Sequence, residues 1–252
     1  KMSDKFYDEK GFIIKKIFNS KEINLLKKKI LEKILDKDKT TKLKKINIKD
    51  LHQITNLNNT KKDIIKSDRR YIKLPKEILN KIQFNNTINS ILKKNWGNNK
   101  YSVRIIRSKR KNEIKKNSCG FRIAEPNKKS IGIHCDAIFF SKVLGQKINN
   151  KSLKSLWVPL EGFTKKYTLK VSPGSHLNVH PKNKFKKKGS YFFNKTYSNK
   201  FLYKRMDFKK GEAMLFHPNL LHGDSHNLGN YTRLSLEIRL YNSNELKNWK
   251  FI

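Results

Sequence analysis

Three features that would define other classes of protein are scarce or missing in this chain. Only two of its 252 residues are cysteine, Cys119 and Cys135, so a disulfide framework is excluded. No run approaches the ~18 apolar residues needed to span a membrane. The first five residues lack the apolar stretch of a signal peptide. We therefore expect a reduced, cytoplasmic protein without a membrane span.

Acidic residues are also scarce, since 20 Asp+Glu stand against 59 Lys+Arg for a formal net charge of +39. A field of this sign attracts nucleic acid, anionic lipid or anionic metabolites. Codon bias explains the charge as well, because Lys, Asn and Ile are all abundant and the lysines are spread along the whole chain. Arginine recognises phosphates and base edges better than lysine does, but lysine is the more abundant of the two. No nucleic-acid-binding motif is present, so an anionic small molecule is the favoured partner.

The period of the apolar residues divides the chain near residue 100. Before it, Ile23, Leu26, Ile30 and Ile34 recur at helical spacing after a capping pair, Asn19 and Glu22. Further helices are predicted at about 48–57 and 77–96. After residue 100 the period becomes two. Strands are predicted at 101–106, 121–124, 156–160, 168–171, 213–216 and 233–241.

Many short strands separated by turn residues favour a sandwich or jelly roll, so the expected fold is mainly β with outer helices. No internal repeat or hinge linker is visible, and residues 1–252 are predicted to form one domain. Its parts are a mainly helical flank, 1–100, and a β core, 101–252. Residues 178–210 are rich in lysine and aromatic residues and only weakly periodic. They are predicted to form a long inserted loop that acts as a lid.

One short motif in the β region has the composition of half a metal site. His134 and Asp136 flank Cys135, and alternate side chains of an extended segment share a face. His134 and Asp136 are therefore predicted to point together into the interior, while Gly132 lets the backbone bend before them. A histidine and an aspartate at a solvated strand end would produce the same pattern.

The other half of the candidate site lies far downstream. His222 follows a β-prone run, and Arg233 comes after ten intervening residues. Two imidazoles and one carboxylate can hold one face of a ferrous ion and leave the opposite face open, as in facial-triad oxygenases. An arginine at this distance can donate two parallel hydrogen bonds to one carboxylate of a dicarboxylate co-substrate. His217 and His226 are rival ligands in the same region.

The last predicted strand has two chemically different faces. Its alternating sets are Leu234, Leu236, Ile238 and Leu240 on one side and Arg233, Ser235, Glu237 and Arg239 on the other. The apolar face is predicted to join the core, and the polar face suits a barrel interior, with Ser235 beside Arg233 at the co-substrate. The alternative is that Arg233 is exposed on an edge strand.

A serine stands beside a histidine in the segment 172–176, Ser-Pro-Gly-Ser-His. This pairing invites comparison with a hydrolase nucleophile. No Gly-x-Ser-x-Gly elbow frames it, so we interpret the segment as a tight turn.

Taken in order, these segments resemble the phytanoyl-CoA dioxygenase-like family of iron(II)- and 2-oxoglutarate-dependent oxygenases. The resemblance runs from end to end of the chain. The segments that carry it are 6–14, 18–23, 134–136, 157–160, 169–176, 222–223, 227 and 233.

The resemblance implies a double-stranded β-helix with helices packed outside it. It implies that His134, Asp136 and His222 bind iron and act in catalysis, and that Arg233 binds the far carboxylate of 2-oxoglutarate. Trp157 matches a family position that lines the co-substrate pocket. Halogenating relatives carry a small residue in place of Asp136, so its carboxylate implies hydroxylation or desaturation.

The implied reaction consumes 2-oxoglutarate and dioxygen and releases succinate and CO2. Candidate substrates are a CoA thioester, a sugar of a surface polysaccharide, a phosphonate and an amino acid derivative. The lysines Lys182, Lys184, Lys186, Lys187 and Lys188 favour an anionic one. The alternative function is nucleic-acid binding by a degenerate oxygenase fold. The oligomeric state leaves no signature in the sequence.

Overall fold

The computed structural model describes residues 2–35, 47–53, 71–98, 100–106, 114–127, 132–144, 147–164, 168–181, 184–185, 191–223 and 226–247. The α-helices are α1 Met2–Lys10, α2 Ser20–Leu35, α3 Lys76–Gln83, α4 Asn86–Trp96, α5 Asp136–Leu144, α6 Lys195–Ser198 and α7 Ser243–Lys247. The strands are β1 Phe12–Lys16, β2 Tyr71–Lys73, β3 Tyr101–Ile106, β4 Ile114–Lys116, β5 Ser118–Ala124, β6 Leu153–Glu161, β7 Lys170–Val171, β8 Lys204–Arg205, β9 Glu212–Phe216, β10 His222–Gly223 and β11 Arg233–Asn242. None of the helices in these ranges is long and apolar enough to cross a membrane.

The larger of two antiparallel sheets is built around β11. On one side β11 pairs with β6 along most of its length. On the other side it pairs with β5 through Arg233–Glu237 and with β3 through Leu240–Asn242. The sheet continues from β6 through β9 to β1 and from β3 to β4, while β2 joins the free side of β5. The longest strand is therefore enclosed by neighbours on both edges.

The smaller sheet has the order β10-β7-β8. His134 joins it through an isolated antiparallel bridge to His222, in which each backbone N–H donates to the other residue's carbonyl at 3.0 and 2.9 Å. A cavity lies between the two sheets and is lined from both. Together with the helices outside the larger sheet, this is the double-stranded β-helix, or jelly roll, expected from the sequence.

The main hydrophobic core lies between the larger sheet and the helices. Its members include Leu234, Leu236, Ile238 and Leu240 of β11 and Ile23, Leu26, Ile30 and Ile34 of α2, all of them buried. The predicted apolar faces of the last strand and of the first long helix are thereby confirmed. Burying such faces removes apolar surface from water, which is the main favourable contribution to folding.

The N-terminal flank is not helical throughout. The capping pair is confirmed, since Asn19 N–H donates to Glu22 at 2.7 Å and Glu22 N–H donates to the Asn19 side chain at 2.9 Å. Between α1 and α2, however, β1 pairs with β9 and becomes the edge strand of the larger sheet. The first hundred residues therefore supply both helices and sheet strands.

Two of the predicted helices differ in the structure. The single helix predicted over 77–96 is two helices, α3 and α4, because the side chain of Asn85 accepts a hydrogen bond from the Ile88 N–H at 3.0 Å and starts a new helix. Asparagine is a strong N-cap residue and favours such a restart over continuation. The helix predicted over 48–57 is a 3-10 helix at Ile48–Gln53, and residues 54–57 lie outside the described ranges.

Gly211 allows a close backbone contact that holds the start of the chain to the larger sheet. Its φ is 85°, and its carbonyl accepts hydrogen bonds from Ile17 and Phe18 at 3.0 Å each. A Cβ at this position would lie 1.9 Å from the Phe18 carbonyl oxygen. At Gly97, which has a φ of 64°, an added Cβ would meet no heavy atom of the described residues within 4 Å.

Replacing each of these glycines by alanine separates backbone strain from steric clash. We expect Gly97→Ala to lower the free energy of unfolding by about 1–3 kcal/mol through positive-φ strain alone. Gly211→Ala should cost roughly 1–3 kcal/mol more, because the Phe18 backbone must move. Urea denaturation followed by circular dichroism measures both. Equal losses in the two variants would contradict the close contact.

Candidate metal centre and cavity

Three buried side chains from different parts of the chain meet beside the cavity, which two of them line. They are His134 before α5, Asp136 at the first position of α5, and His222 in β10. One donor atom from each lies within 4.8 Å of the other two. His222 Nε2 is 3.9 Å from Asp136 Oδ1. The structure therefore brings together the two imidazoles and the carboxylate that the sequence indicated.

The local backbone at this site differs from the prediction. His134 and Asp136 were expected to share one face of an extended segment, but the extended segment ends at His134 and α5 begins at Asp136. An acidic residue is favoured in the first turn of a helix by the partial positive charge there. Cys135 turns into an apolar cluster with Ile133 and Leu221. The two side chains converge because the chain bends, not because they alternate along a strand.

Both imidazoles are held in the tautomer that suits a metal. His134 Nδ1 is 2.9 Å from the Gly132 carbonyl oxygen, and His222 Nδ1 is 2.9 Å from the Leu220 carbonyl oxygen. A carbonyl only accepts, so each Nδ1 carries the proton and each Nε2 has a free lone pair. Burial lowers the pKa of His134 to about 3 and also lowers that of His222. Neutral, oriented imidazoles fit metal binding.

The Asp136 carboxylate is charged although it is fully buried. Burial alone raises its pKa, but Arg239, the two histidines and a hydrogen bond from Ser155 outweigh this effect and leave the pKa below its usual value. Arg239 Nη2 lies 3.4 Å from the carboxylate oxygens. Two neutral nitrogen donors and one carboxylate are the donor set of a facial triad for iron(II).

The cavity extends from His134 and His222 to Arg233 on β11. Arg233, Trp157 and Ser235 all line it, as expected for co-substrate contacts. Arg233 is buried, and its guanidinium carbon lies 5.5 Å from the centre of the Phe163 ring, which itself packs edge-on against Trp157 at 5.0 Å. Burial, followed by the nearby charge of Arg205, lowers the pKa of Arg233 to about 10. Arg233 is thus a desolvated cation on an interior face, not an exposed residue of an edge strand.

Several side chains of the cavity were not singled out in the sequence. Arg122 Nε donates to Glu237 Oε1 at 2.8 Å, and Arg239 Nη2 is 3.5 Å from Glu237 Oε2. Glu237 and Arg239 belong to the polar face of β11, so its alternation was a signal for both. Arg122, on β5, and Phe163 had no comparable signal.

The rival histidines and the serine–histidine turn have other roles. His217 Nδ1 accepts a hydrogen bond from the Asn219 N–H at 3.0 Å, and its ring packs 5.0 Å from that of His176. Neither His217 nor His226 belongs to the donor cluster found among the described residues. The Ser175 hydroxyl donates to the Ser172 carbonyl at 2.7 Å and accepts from the Leu221 N–H at 2.9 Å. The turn therefore holds the backbone next to His222.

Part of the predicted lid packs directly on the donor cluster. The rings of Tyr191 and Phe192 lie 6.2 and 5.9 Å from the His134 ring. The Phe193 N–H donates to the Ile133 carbonyl at 2.9 Å. Lys184 is exposed, whereas Lys182, Lys186, Lys187 and Lys188 lie outside the described residues.

Comparison with known proteins places this arrangement in a family. The phytanoyl-CoA dioxygenase (PhyH) family matches residues 7–235. No protein of curated function matches by sequence.

Among solved structures, the chain is similar to EctD from S. alaskensis with 2-oxoglutarate and 5-hydroxyectoine, at 15% identity and a TM-score of 0.60, over 96% of this chain and 76% of that one. It is similar to the non-heme alpha ketoglutarate dependent carbocyclase SnoK from nogalamycin biosynthesis, at 13% identity and a TM-score of 0.58, over 96% and 84%. The epimerase SnoN in complex with Fe3+, alpha ketoglutarate and nogalamycin RO matches at 12% identity and a TM-score of 0.58, over 96% and 83%. At these identities the similarities establish the fold.

The environment of His217 predicts a measurable contribution to acid sensitivity. Burial, with Lys154 and His176 adding to it, lowers the pKa of His217 from 6.5 to about 2. The folded protein therefore keeps this imidazole neutral, while the unfolded chain binds a proton below about pH 6.5, so stability is lost as the pH falls.

We expect His217→Asn to reduce that loss by up to about 1.4 kcal/mol per pH unit between roughly pH 6 and pH 4. The asparagine side-chain oxygen can still accept from the Asn219 N–H. Urea denaturation at a series of pH values measures the slope. A variant whose stability depends on pH as steeply as that of the wild type would show that His217 is not held neutral.

Proposed function

Because the chain belongs to the phytanoyl-CoA dioxygenase family of iron(II)- and 2-oxoglutarate-dependent oxygenases, we propose that it hydroxylates a small, anionic metabolite at the cavity described above. In this proposal His134, Asp136 and His222 bind the iron. The observation that carries the proposal is their convergence, with both Nδ1 atoms engaged by backbone carbonyls, in the same cavity as Arg233.

Bound iron and 2-oxoglutarate would supply the oxidising chemistry, activating dioxygen and releasing succinate and CO2 as a C–H bond is hydroxylated. The protein's own residues orient the reactants. Arg233 offers a forked guanidinium to the far carboxylate of 2-oxoglutarate, a contact that is stronger than a single-point one. Trp157 and Phe163 form the apolar wall beside it, and Ser235 adds a hydroxyl. The buried setting excludes water, which strengthens the charge pairing.

Local charge supports an anionic substrate more directly than the overall net charge does. Among the described residues that line the cavity, Arg122, Arg233 and Arg239 outnumber the one carboxylate, Glu237. A ferrous dication and a 2-oxoglutarate dianion would cancel each other. This lining therefore favours a negatively charged substrate group. A CoA thioester, a phosphonate and an amino acid derivative each carry such a group, and so does a surface-polysaccharide sugar that bears a carboxylate.

The proposal includes an entrance covered by the 178–210 segment. The packing of Tyr191 and Phe192 against His134 supports this position. The part assigned to Lys182–Lys188 in admitting the substrate stays a prediction. The alternative of nucleic-acid binding by a degenerate oxygenase fold has no such support, because the donor cluster is complete.

The first test of the function is metal-dependent turnover. Purified protein given iron(II), 2-oxoglutarate and candidate substrates should form succinate, and Asp136→Ala should abolish it and release iron during dialysis, since a buried donor is lost. His217→Asn, which changes a histidine outside the cluster, should retain both properties. Succinate production that persists in Asp136→Ala would count decisively against the assigned site.

The second test concerns Arg233. Arg233→Met should raise the KM for 2-oxoglutarate on the order of 10- to 100-fold, because a hydrogen-bonded charge pair contributes roughly 1.5–3 kcal/mol. Arg233→Lys keeps the charge but cannot donate two parallel hydrogen bonds, so its KM for 2-oxoglutarate should lie between those of the wild type and Arg233→Met. Iron retention should not change in either variant. An unaltered KM in Arg233→Met would remove Arg233 from the co-substrate site.

The third test compares each candidate substrate with an analogue whose anionic group is neutralised, by amidation of a carboxylate or esterification of a phosphate or phosphonate. Because arginines outnumber carboxylates among the described lining residues, the anionic form should show a kcat/KM on the order of 10-fold or more above that of the neutral analogue. Substrate-dependent succinate formation measures both. Neutral analogues that are turned over as efficiently as the anions would refute the anionic substrate class while leaving the oxygenase assignment intact.

A further inference from the structure

Two side chains other than the histidines contact the Asp136 carboxylate. The Ser155 hydroxyl donates a hydrogen bond to Asp136 Oδ2. Arg239 Nη2 lies 3.4 Å from both carboxylate oxygens. Asp136 Oδ1 is also the oxygen 3.9 Å from His222 Nε2. The two oxygens of this carboxylate therefore have different environments before any metal is considered.

Arg239 is itself held in place. Its Nη2 also lies 3.5 Å from Glu237 Oε2, and the opposite oxygen of Glu237 accepts from Arg122 Nε at 2.8 Å. Its guanidinium carbon lies 5.1 Å from the centre of the Phe140 ring. Phe140 belongs to α5, the helix that begins with Asp136. Charges of alternating sign thus run from the carboxylate to the cavity wall and leave Arg239 little freedom to move.

A carboxylate can bind a metal through one oxygen or through both. Binding through both would take up a further coordination position. A facial triad works because the positions opposite its three ligands stay open, and the proposed reaction needs all of them, for the keto acid and for dioxygen. The way in which Asp136 binds therefore decides whether the site can hold both reactants.

We propose that Ser155 and Arg239 are positioning residues that keep Asp136 bound to the metal through Oδ1 alone. This inference rests on the proposed iron site. Ser155 holds Oδ2 in a hydrogen bond, which opposes its use as a second metal ligand. Arg239 restricts rotation of the carboxylate about its Cβ–Cγ bond, since Nη2 lies 3.4 Å from both carboxylate oxygens and is itself held 3.5 Å from Glu237 Oε2. A lysine at this position would retain the charge but would carry it on a more flexible side chain.

The test uses Mn(II) in place of iron, because its bound waters can be counted from water-proton relaxation and its affinity measured by electron paramagnetic resonance. The variants are Ser155→Ala, Arg239→Met and Arg239→Lys. Matched controls are Ser118→Ala, which removes another buried hydroxyl, and Arg104→Met, which removes an arginine that donates to Ser102 on β3. Neither control residue contacts the site.

We expect the wild type and both controls to show the same number of metal-bound waters. Ser155→Ala and Arg239→Met should each show one fewer, as Oδ2 becomes a second ligand atom. Arg239→Met should also weaken Mn(II) binding on the order of 10- to 100-fold, as is usual when a residue that orients a metal ligand is removed. The Mn(II) affinity of Arg239→Lys should lie between those of Arg239→Met and the wild type.

Ser155→Ala keeps the proposal testable if Arg239→Met fails to fold, since it removes a single atom from a buried contact. Unchanged water counts in folded Ser155→Ala would overturn the proposal, even if Mn(II) binding stayed tight and dependent on His222. If His222→Ala bound Mn(II) as tightly as the wild type does, the proposed metal site, and with it the proposed function, would be overturned instead. The two failures are therefore distinguishable.

Discussion

One strand separates the two environments on which this protein depends. β11 turns its leucines and isoleucine toward the helices and its arginines, Ser235 and Glu237 toward the cavity. Because side chains alternate strictly along a strand, a slip of one residue would exchange the two faces, burying charge in the core and lining the cavity with leucine. Pairing with β6 on one edge and with β5 and β3 on the other prevents that slip.

The charged side chains that surround the cavity are buried or half-buried, and removing a charge from water costs free energy. Isolated buried charges are strongly disfavoured unless they are paired. Asp136, Arg239, Glu237 and Arg122 meet this requirement by alternating in sign along one wall. Arg233 lies further along the same face of β11, and burial lowers its pKa to about 10. On the proposed function, Arg233 binds the far carboxylate of 2-oxoglutarate.

The three candidate ligands depend on supports that are themselves far apart in the chain. His134 and His222 are joined by a backbone bridge, and the Ser175 hydroxyl binds the Leu221 N–H beside His222. The Phe193 N–H binds the carbonyl next to His134. The site is therefore assembled where the smaller sheet, the start of α5 and the 191–203 segment meet, so a change in any of these would alter the metal geometry.

Local patterns in the sequence determined the elements whose information is contained within a few neighbouring residues. The two faces of β11 and the Asn19–Glu22 cap were readable in this way, whereas the grouping of His134, Asp136, His222 and Arg233 came from the order of short motifs along the chain and their resemblance to a family. Only the tertiary structure decided that a helix begins at Asp136, that Ser155 and Arg239 hold its carboxylate, and that Arg122 joins Glu237. Those contacts link residues 19, 103 and 115 positions apart. They depend on which strands pair and in what register, and the pairing of distant strands is set by the packing of the whole core.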